Sequence, residues 1–462
     1  MKNHDTIAAV ASGMTASGIG IIRISGPEAF SVLKKVFRPA TPCDVLLYRA
    51  NTIHYGHIVK ETSKEVLDEC LVMVMRGPRT YTTEDTVEIN CHGGPYVMRR
   101  VLDTVLASGA RLAEPGEFTK RAFLGGRIDL SEAEAVMDVI SAKSEDALRS
   151  SLDQLSGSVR KEITSLREII LDELSYIEAA LDDPEHYEME GYGEELLSHL
   201  QPVRDRLLSL RKTYEEGRYI REGILTVILG KPNAGKSSLL NALTGEDRAI
   251  VTDIEGTTRD VLEEQVRIGG IMLRILDTAG IRDARDEIEQ IGIERALSFA
   301  ESADLILAVF DASRMIDDND RQILSMLKGR RAVILLNKMD IGSDILTKED
   351  LTELSGGQTV IEISARERTG LAALEMRIRD LFFAGGVTWN EEAHLTNSRH
   401  KEAVDEALRA LNLLERSVRD GMTEDFFAED LMAAYASLGE IIGEQVGDDL
   451  VDNIFSKFCM GK

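Results

Sequence analysis

The rhythm of apolar and polar positions divides this chain into four stretches. Up to about residue 118, short apolar runs alternate with turn residues. Ile19-Gly20-Ile21-Ile22-Arg23-Ile24 reads as a buried strand. Thr86-Val87-Glu88-Ile89-Asn90 alternates as a half-buried strand does, and the turn His92-Gly93-Gly94 follows it. From about Phe118 the period becomes helical. Ser131 and Glu134 have capping-box spacing ahead of the apolar stripe Val136, Met137, Ile140. Helical patterning continues to about Glu216, broken at Asp182-Asp183-Pro184-Glu185. An α/β alternation then runs from about Gly223 to Phe383. The chain finally returns to helix, with Val404, Leu408 and Leu411 on one face.

The pattern predicts a multidomain α+β and α/β protein: an N-terminal α+β domain (1–118), a helical domain in two parts (119–216 and 384–462) and a Ras-like P-loop domain (217–383) inserted between them. The two helical halves are expected to pack together, since neither alone need bury its apolar face. A length of 462 residues is too great for one hydrophobic core, and two to four domains are expected.

Chemistry is concentrated in the third stretch. Gly230-Lys231-Pro232-Asn233-Ala234-Gly235-Lys236-Ser237-Ser238 follows the apolar run Ile224 to Leu229 and precedes a helical pattern with Leu239, Leu240 and Leu243. Strand, glycine-rich turn and helix are the context in which such a loop cradles phosphate, through successive backbone N–H groups and the helix N-terminus. Lys236 is expected to reach the β- and γ-phosphates, and the Ser237 hydroxyl to ligate Mg²⁺. Asp277-Thr278-Ala279-Gly280 follows a second strand pattern, so Asp277 can hold the Mg²⁺ shell and Gly280 can approach the γ-phosphate. Asn337-Lys338-Met339-Asp340 follows the run Ala332 to Leu336. The Asp340 carboxylate can accept both donors of the guanine N1/N2 edge, which adenine lacks. Ser364-Ala365 follows Val360 to Ile363 and is expected to cover the base. In series, the motifs indicate GTP.

Ile281 stands where Ras-type enzymes place a water-orienting Gln. An Ile cannot orient water, so the polar catalytic group must come from elsewhere; Glu287 and Glu289 lie just downstream. Asn233 offers a side-chain oxygen for a monovalent cation beside the phosphates, which would supply the charge that an arginine finger supplies elsewhere.

Composition narrows the setting. The chain is 43% hydrophobic and 29% charged, with a net charge of −26, which argues against a general polyanion binder. Cys43, Cys70, Cys91 and Cys459 form no Cys-x-x-Cys pair and no zinc spacing, as expected of reduced thiols in a cytoplasmic protein. The sequence has no signal-peptide pattern and no apolar run long enough to span a bilayer, so no membrane association is expected. Taken alone, Arg23 on an apolar strand reads as salt-bridged, Cys91 as a buried small side chain, and Cys459 as a tail thiol of unread reactivity.

Several blocks carry a more specific signal: Gly20-Ile21-Ile22-Arg23-Ile24-Ser25-Gly26, Cys91-His92-Gly93-Gly94-Pro95, Pro115-Gly116-Glu117-Phe118-Thr119-Lys120-Arg121-Ala122-Phe123 and the ending Phe458-Cys459-Met460-Gly461-Lys462. With the nucleotide motifs, they make the chain resemble the MnmE (TrmE) family of tRNA-modification GTPases over essentially its whole length. The resemblance implies an N-terminal domain that binds 5-formyl- or methylene-tetrahydrofolate and mediates homodimerisation. It also implies K⁺-dependent GTP hydrolysis that brings two G domains together. The flavoprotein MnmG (GidA) would be the partner, in a heterotetramer or larger assembly, and would carry FAD and use NADH. The product would be an aminomethyl-type group, such as carboxymethylaminomethyl, at C5 of the wobble uridine of certain tRNAs.

Transferred residue by residue, Asn233, Thr252, Ile254 and Thr257 match the K⁺ site, and Thr252-Asp253-Ile254-Glu255-Gly256-Thr257-Thr258 the loop that completes it. Thr258 matches the Mg²⁺ ligand beside Ser237, and Glu289 the catalytic Glu that orients water. Arg23, Glu88, Arg127 and Lys462 match folate contacts, and Cys459 the terminal Cys needed for modification. The chain departs from the family pattern at Arg127, where some members have Lys, at Met460, where Ile is usual, and at Met14-Thr15-Ala16-Ser17, which replaces a stretch often rich in Pro. A ribosome-assembly or translation GTPase is the alternative; it shares the nucleotide motifs and leaves the N-terminal blocks and the terminal Cys unexplained.

Overall fold

The computed structural model describes residues 5–461 apart from 184, 188, 245–262, 277–298, 343–344, 384–393 and 445. The chain divides into two compact units. The first comprises Met1–Met137, Gln154–Gln201 and Glu406–Lys462; the second comprises Asp138–Asp153 and Pro202–Asp405.

The first unit opens with β1 (Ile7–Val10), β2 (Ser17–Ser25), α1 (Ala29–Val36), β3 (Phe37–Pro39), β4 (Thr52–Val59), β5 (Val66–Met75), β6 (Thr86–Gly93), α2 (Pro95–Ala107) and β7 (Arg111–Leu112). The strands form one sheet in the order β3-β4-β5-β6-β2-β1-β7, in which β1 and β7 are the parallel pair. Alternation decides which face is buried. Ile22, Ile24, Val72, Val74, Val87 and Ile89 enter a core with Leu33 of α1 and Val101 of α2. The opposite face carries Arg23 and Glu88, a directly opposed pair on β2 and β6. β2 is therefore half-buried, with Ile19 exposed, and not buried throughout. β6 also runs through His92 and Gly93, which the sequence reading placed in a turn.

The helical part begins with α3 (Glu117–Leu124), α4 (Leu130–Ser141), α5 (Glu145–Leu155) and α6 (Ser158–Asp182). The capping box of α4 is not Ser131–Glu134. Asp129 Oδ1 accepts from Glu132 N at 2.7 Å, and Glu132 Oε2 accepts from Asp129 N at 2.8 Å. The helix starts two residues earlier than the Ser-based box required, and the Ser131 hydroxyl donates to Asp129 instead. α7 (Tyr192–Glu222) continues past the expected limit of helical patterning at Glu216.

The second unit holds β8 (Ile224–Leu229), α8 (Lys236–Thr244), β9 (Glu263–Ile268), β10 (Ile271–Leu276), β11 (Leu305–Asp311), α9 (Asp318–Met326), β12 (Ala332–Asn337), α10 (Lys348–Leu354), β13 (Val360–Glu362) and α11 (Leu371–Phe382). Its sheet has the order β13-β12-β11-β8-β10-β9, with β9 antiparallel at one edge and the other neighbours parallel. Every residue of β11 and β12 is buried, as continuous apolar runs in a parallel sheet covered on both faces should be. The end of α7 is fastened to this sheet. Asp304 accepts from Arg218 at 2.7 Å and from Leu225 N at 3.0 Å, and Tyr219 packs edge-on against Phe382.

α12 (Ser398–Arg419), α13 (Glu424–Ile442) and α14 (Asp448–Ser456) complete the chain. Within the first unit α13 packs along α6, although more than two hundred residues separate them in sequence. Arg167 of α6 donates to Tyr435 O at 3.2 Å and lies 4.0 Å from the Tyr435 ring centroid. The α6 stripe Ile163, Leu166, Ile170, Leu174 is buried, as are Leu431, Ala434 and Leu438 of α13. The helical layer is therefore discontinuous in sequence, and the P-loop domain is inserted within it. Among the described residues, no helix is long and apolar enough to cross a membrane.

Candidate functional site

The carboxyl ends of β8, β12 and β13 carry the described nucleotide motifs, the location at which open α/β sheets bind ligands. The turn after β8 needs its glycines. Gly230 has φ +154, and a Cβ there would lie 2.5 Å from Val309 O. Gly235 has φ +102, and a Cβ there would lie 2.1 Å from Asn337 Nδ2. Asn233 between them adopts φ +65, a left-handed conformation that Asn tolerates better than most residues. Asn233, Ser237 and Ser238 are exposed, with both serines in the first turn of α8.

Lys236 is folded back on the loop. Its Nζ donates to Gly230 O at 2.7 Å and Lys231 O at 2.9 Å. Burial pushes its pKa down. An ammonium held by two carbonyls over a helix N-terminus is a ready partner for an anionic oxygen. Lys231, the residue after Gly230, is itself anchored to Asp317 and, at 3.0 Å, to Asp320, two acids at the start of α9.

The Asn337-Lys338-Met339-Asp340 segment is fixed at three points. Asn337 Nδ2 donates to Ala234 O at 2.9 Å, and its Oδ1 accepts from Ala365 N at 3.0 Å. Lys338 Nζ donates to Asp311 Oδ2 at 2.6 Å. Asp340 Oδ1 accepts from the Ser364 hydroxyl at 2.7 Å, and that hydroxyl accepts from Glu367 N. The structure thus brings Ala234, Gly235, Lys236, Asn337, Lys338, Asp340, Ser364 and Ala365 into one connected arrangement. Thr252, Asp253, Ile254, Glu255, Gly256, Thr257, Thr258, Asp277, Thr278, Ala279, Gly280 and Glu289 lie outside the described residues, as does Lys462.

A second cluster occupies the face of the N-terminal sheet opposite the main core, where Ile7 and Ala9 are buried with Phe118. Arg23 Nε and Nη2 each approach Glu88 Oε1 at 2.8 Å, and Arg23 Nη1 donates to Gly461 O at 3.3 Å. Gly461 has φ +93, and a Cβ there would lie 2.2 Å from Val10 O. Upstream of this glycine, Phe455 and Phe458 are buried with Leu130 and Ala133, while Cys459 is exposed. Arg127 Nη1 donates to Tyr81 O at 3.0 Å. The Tyr81 ring lies 4.8 Å from the Arg127 guanidinium and 5.6 Å from that of Arg23. Tyr81, whose hydroxyl pairs with Thr119 at 2.9 Å, was missed by the sequence reading. It stands alone between Thr80 and Thr82, so no periodicity marked it.

Cys91 is a packed side chain. Its thiol donates to Gly20 O at 3.5 Å, and burial pushes its pKa up to about 11. His92 pairs with Asp68 at 2.7 Å, which raises its pKa. Among the described residues no three His, Cys, Asp or Glu side chains converge as metal ligands.

Strand, glycine loop, helix and a tethered Asn-Lys-x-Asp define the nucleotide site of a P-loop GTPase. A family model described as the MnmE helical domain matches residues 130–459, and one described as the GTP-binding protein TrmE N-terminus matches residues 6–127. The chain belongs to the MnmE (TrmE) family of tRNA modification GTPases. It is 50% identical over 459 residues to the tRNA modification GTPase MnmE of Lachnoclostridium phytofermentans, covering 99% of both chains. It is 46% identical to the protein of the same name from Acetivibrio thermocellus over the whole of both chains, and 44% identical to that of Enterococcus faecalis over 99% of this chain and 98% of the relative.

Proposed function

We propose that the chain is a K⁺-dependent GTP hydrolase that modifies C5 of the wobble uridine of certain tRNAs, with a folate one-carbon unit and a flavoprotein partner of the MnmG type. The observation that carries the nucleotide half is the double hydrogen bond of Asn337, which ties the phosphate loop to the base loop. Lys236 holds the β- and γ-phosphate oxygens once it leaves its two carbonyls. Asp340 reads the guanine edge with the oxygen that Ser364 leaves free, and Ala365 covers the base.

Ser237, whose hydroxyl is exposed at the helix start, would hold Mg²⁺ with Thr258 and Asp277, and the exposed Asn233 would hold K⁺ with Thr252, Ile254 and Thr257. Bound there, the cations would supply positive charge against the transferring phosphoryl group. Glu289 orients the attacking water.

The folate half rests on Arg23 and Arg127 lying against Tyr81, with Glu88 paired to Arg23 and the carbonyl of Gly461 beside it. Two guanidiniums and a carboxylate suit a ligand with both carboxylate and pterin-type donor groups. Cys459 and Lys462 would then lie near the one-carbon donor. Homodimerisation, a cytoplasmic setting, and FAD and NADH in the partner belong to the same reading. Mass spectrometry of tRNA nucleosides from cells lacking the protein tests it. Loss of the C5-modified wobble nucleoside supports it; an unchanged profile with a ribosome-assembly defect would favour the translation-GTPase alternative.

A further inference from the structure

Asp311 is the last residue of β11 and pairs in register with Asn337 at the end of β12. It has no part in the recognised nucleotide motifs, yet its carboxylate is fully engaged. Oδ1 accepts from Ser313 N at 3.0 Å and the Ser313 hydroxyl at 2.6 Å, while Oδ2 accepts from Lys338 Nζ at 2.6 Å. The side chain is 7% exposed. A buried carboxylate is costly unless compensated, and here Lys338, Arg314 Nε at 3.6 Å and the two Ser313 donors compensate it. Burial alone raises this carboxyl, and the hydrogen bonds from Lys338 and Ser313 bring it below its ordinary value.

Lys338 is the cation nearest to Asp311. It lies between Asn337, which holds Ala234, and Asp340, which faces the base. Its backbone has φ +71, a left-handed conformation unusual for a lysine. Such a conformation persists where surrounding contacts over-determine it. Asp311 supplies one such contact through the side chain, and Met339 N supplies another by donating to Ile363 O at 3.3 Å.

We propose that Asp311 is a positioning residue of the guanine subsite: it acts through Lys338 to hold the stem of that lysine and the left-handed turn beneath Asp340 in the binding-competent arrangement. The proposal rests on the guanine-site reading of Asp340. Because the tether lies on the base side, its loss affects GDP and GTP alike and leaves the phosphate chemistry intact.

The test measures dissociation of fluorescent GDP and GTP analogues from the full-length protein. Asp311→Asn should speed release of both roughly tenfold, the effect of losing one charge-assisted hydrogen bond, while kcat at saturating GTP stays within about twofold. Lys338→Met should speed release of both at least as much, and the double variant should be no worse than Lys338→Met, because the two residues form one unit. Wild-type release from Asp311→Asn would overturn the proposal, as would additive effects in the double variant. If Asp311→Asn fails to fold, wild-type release from Lys338→Met overturns it equally. Asp340→Asn, assayed with xanthine nucleotides, is the separate control. If its preference does not shift towards xanthine, the guanine reading itself fails; if it shifts while Asp311→Asn is silent, only the tether fails.

Discussion

Asn337 holds the carbonyl of Ala234 with its amide nitrogen while its amide oxygen takes the N–H of Ala365, so one side chain locks the phosphate loop to the loop that covers the base. Both contacts are buried.

Asn337→Asp keeps the acceptor for Ala365 and sets an anionic oxygen against Ala234 O. Leaving a buried polar group unsatisfied costs about 1–3 kcal/mol, so GDP affinity should fall by roughly ten- to a hundredfold. Titration calorimetry with GDP checks it. A change of less than about twofold would show that the bridge does not govern the site.

Hydrolysis should need K⁺ and fall by orders of magnitude in Na⁺, because Ile281 cannot orient water and Asn233 offers the cation an oxygen. Glu289→Ala should retain nucleotide affinity and lose most of kcat. Turnover measured in KCl and NaCl for both proteins decides the point. Equal rates in the two salts, or a large loss in Glu287→Ala and none in Glu289→Ala, would contradict it.

Cys459→Ser should leave GTP hydrolysis intact and abolish tRNA modification. The exposed thiol sits two residues before Gly461, whose carbonyl meets Arg23. Ser is nearly isosteric and far less acidic, so the change tests chemistry with little change in packing. Normal modification by this variant would remove Cys459 from the site.

Glu117 makes the N-terminal unit acid-sensitive. It is 4% exposed and accepts from Arg111, Arg121 and Glu114 N. Burial raises its pKa, but those hydrogen bonds outweigh it and bring the group below its ordinary 4.5. A depressed carboxyl stabilises the fold above its unfolded-state pKa, and that stability is lost as pH falls through the folded value. Calorimetric melting should therefore drop as pH falls below about 4.5. Glu117→Gln should lose about 1–3 kcal/mol at neutral pH and show a shallower acid limb. An acid limb as steep as that of the wild type would assign the effect to other carboxylates.

What was legible in the sequence was what is local. Gly230 to Ser237, Asn337 to Asp340 and Ser364-Ala365 each sit within a few residues of an apolar strand, and a loop at a strand end cannot escape that context. The α4 cap was misplaced by two residues because Ser131–Glu134 and Asp129–Glu132 share one spacing, and only the first turn of the folded helix chooses between them. Tyr81 and Asp311 left no pattern at all, and Arg121 stood within a block that carries the resemblance but with no role of its own. Arg121 is 7% exposed and reaches Asp5, Glu84 and Glu117, partners brought together only when β1, the loop before β6 and α3 close on one another. Arg23 and Glu88 were named from resemblance; their pairing follows from the β2–β6 register, which no stretch of either strand encodes alone.

Wobble-nucleoside mass spectrometry in a deletion strain, complemented with wild-type protein or with Lys236→Ala, bears most directly on the claim that GTP binding at this site drives modification of tRNA. The C5-modified nucleoside should vanish in the deletion, return with the wild type and stay absent with Lys236→Ala. Full modification in the deletion strain, or full rescue by Lys236→Ala, would contradict the account.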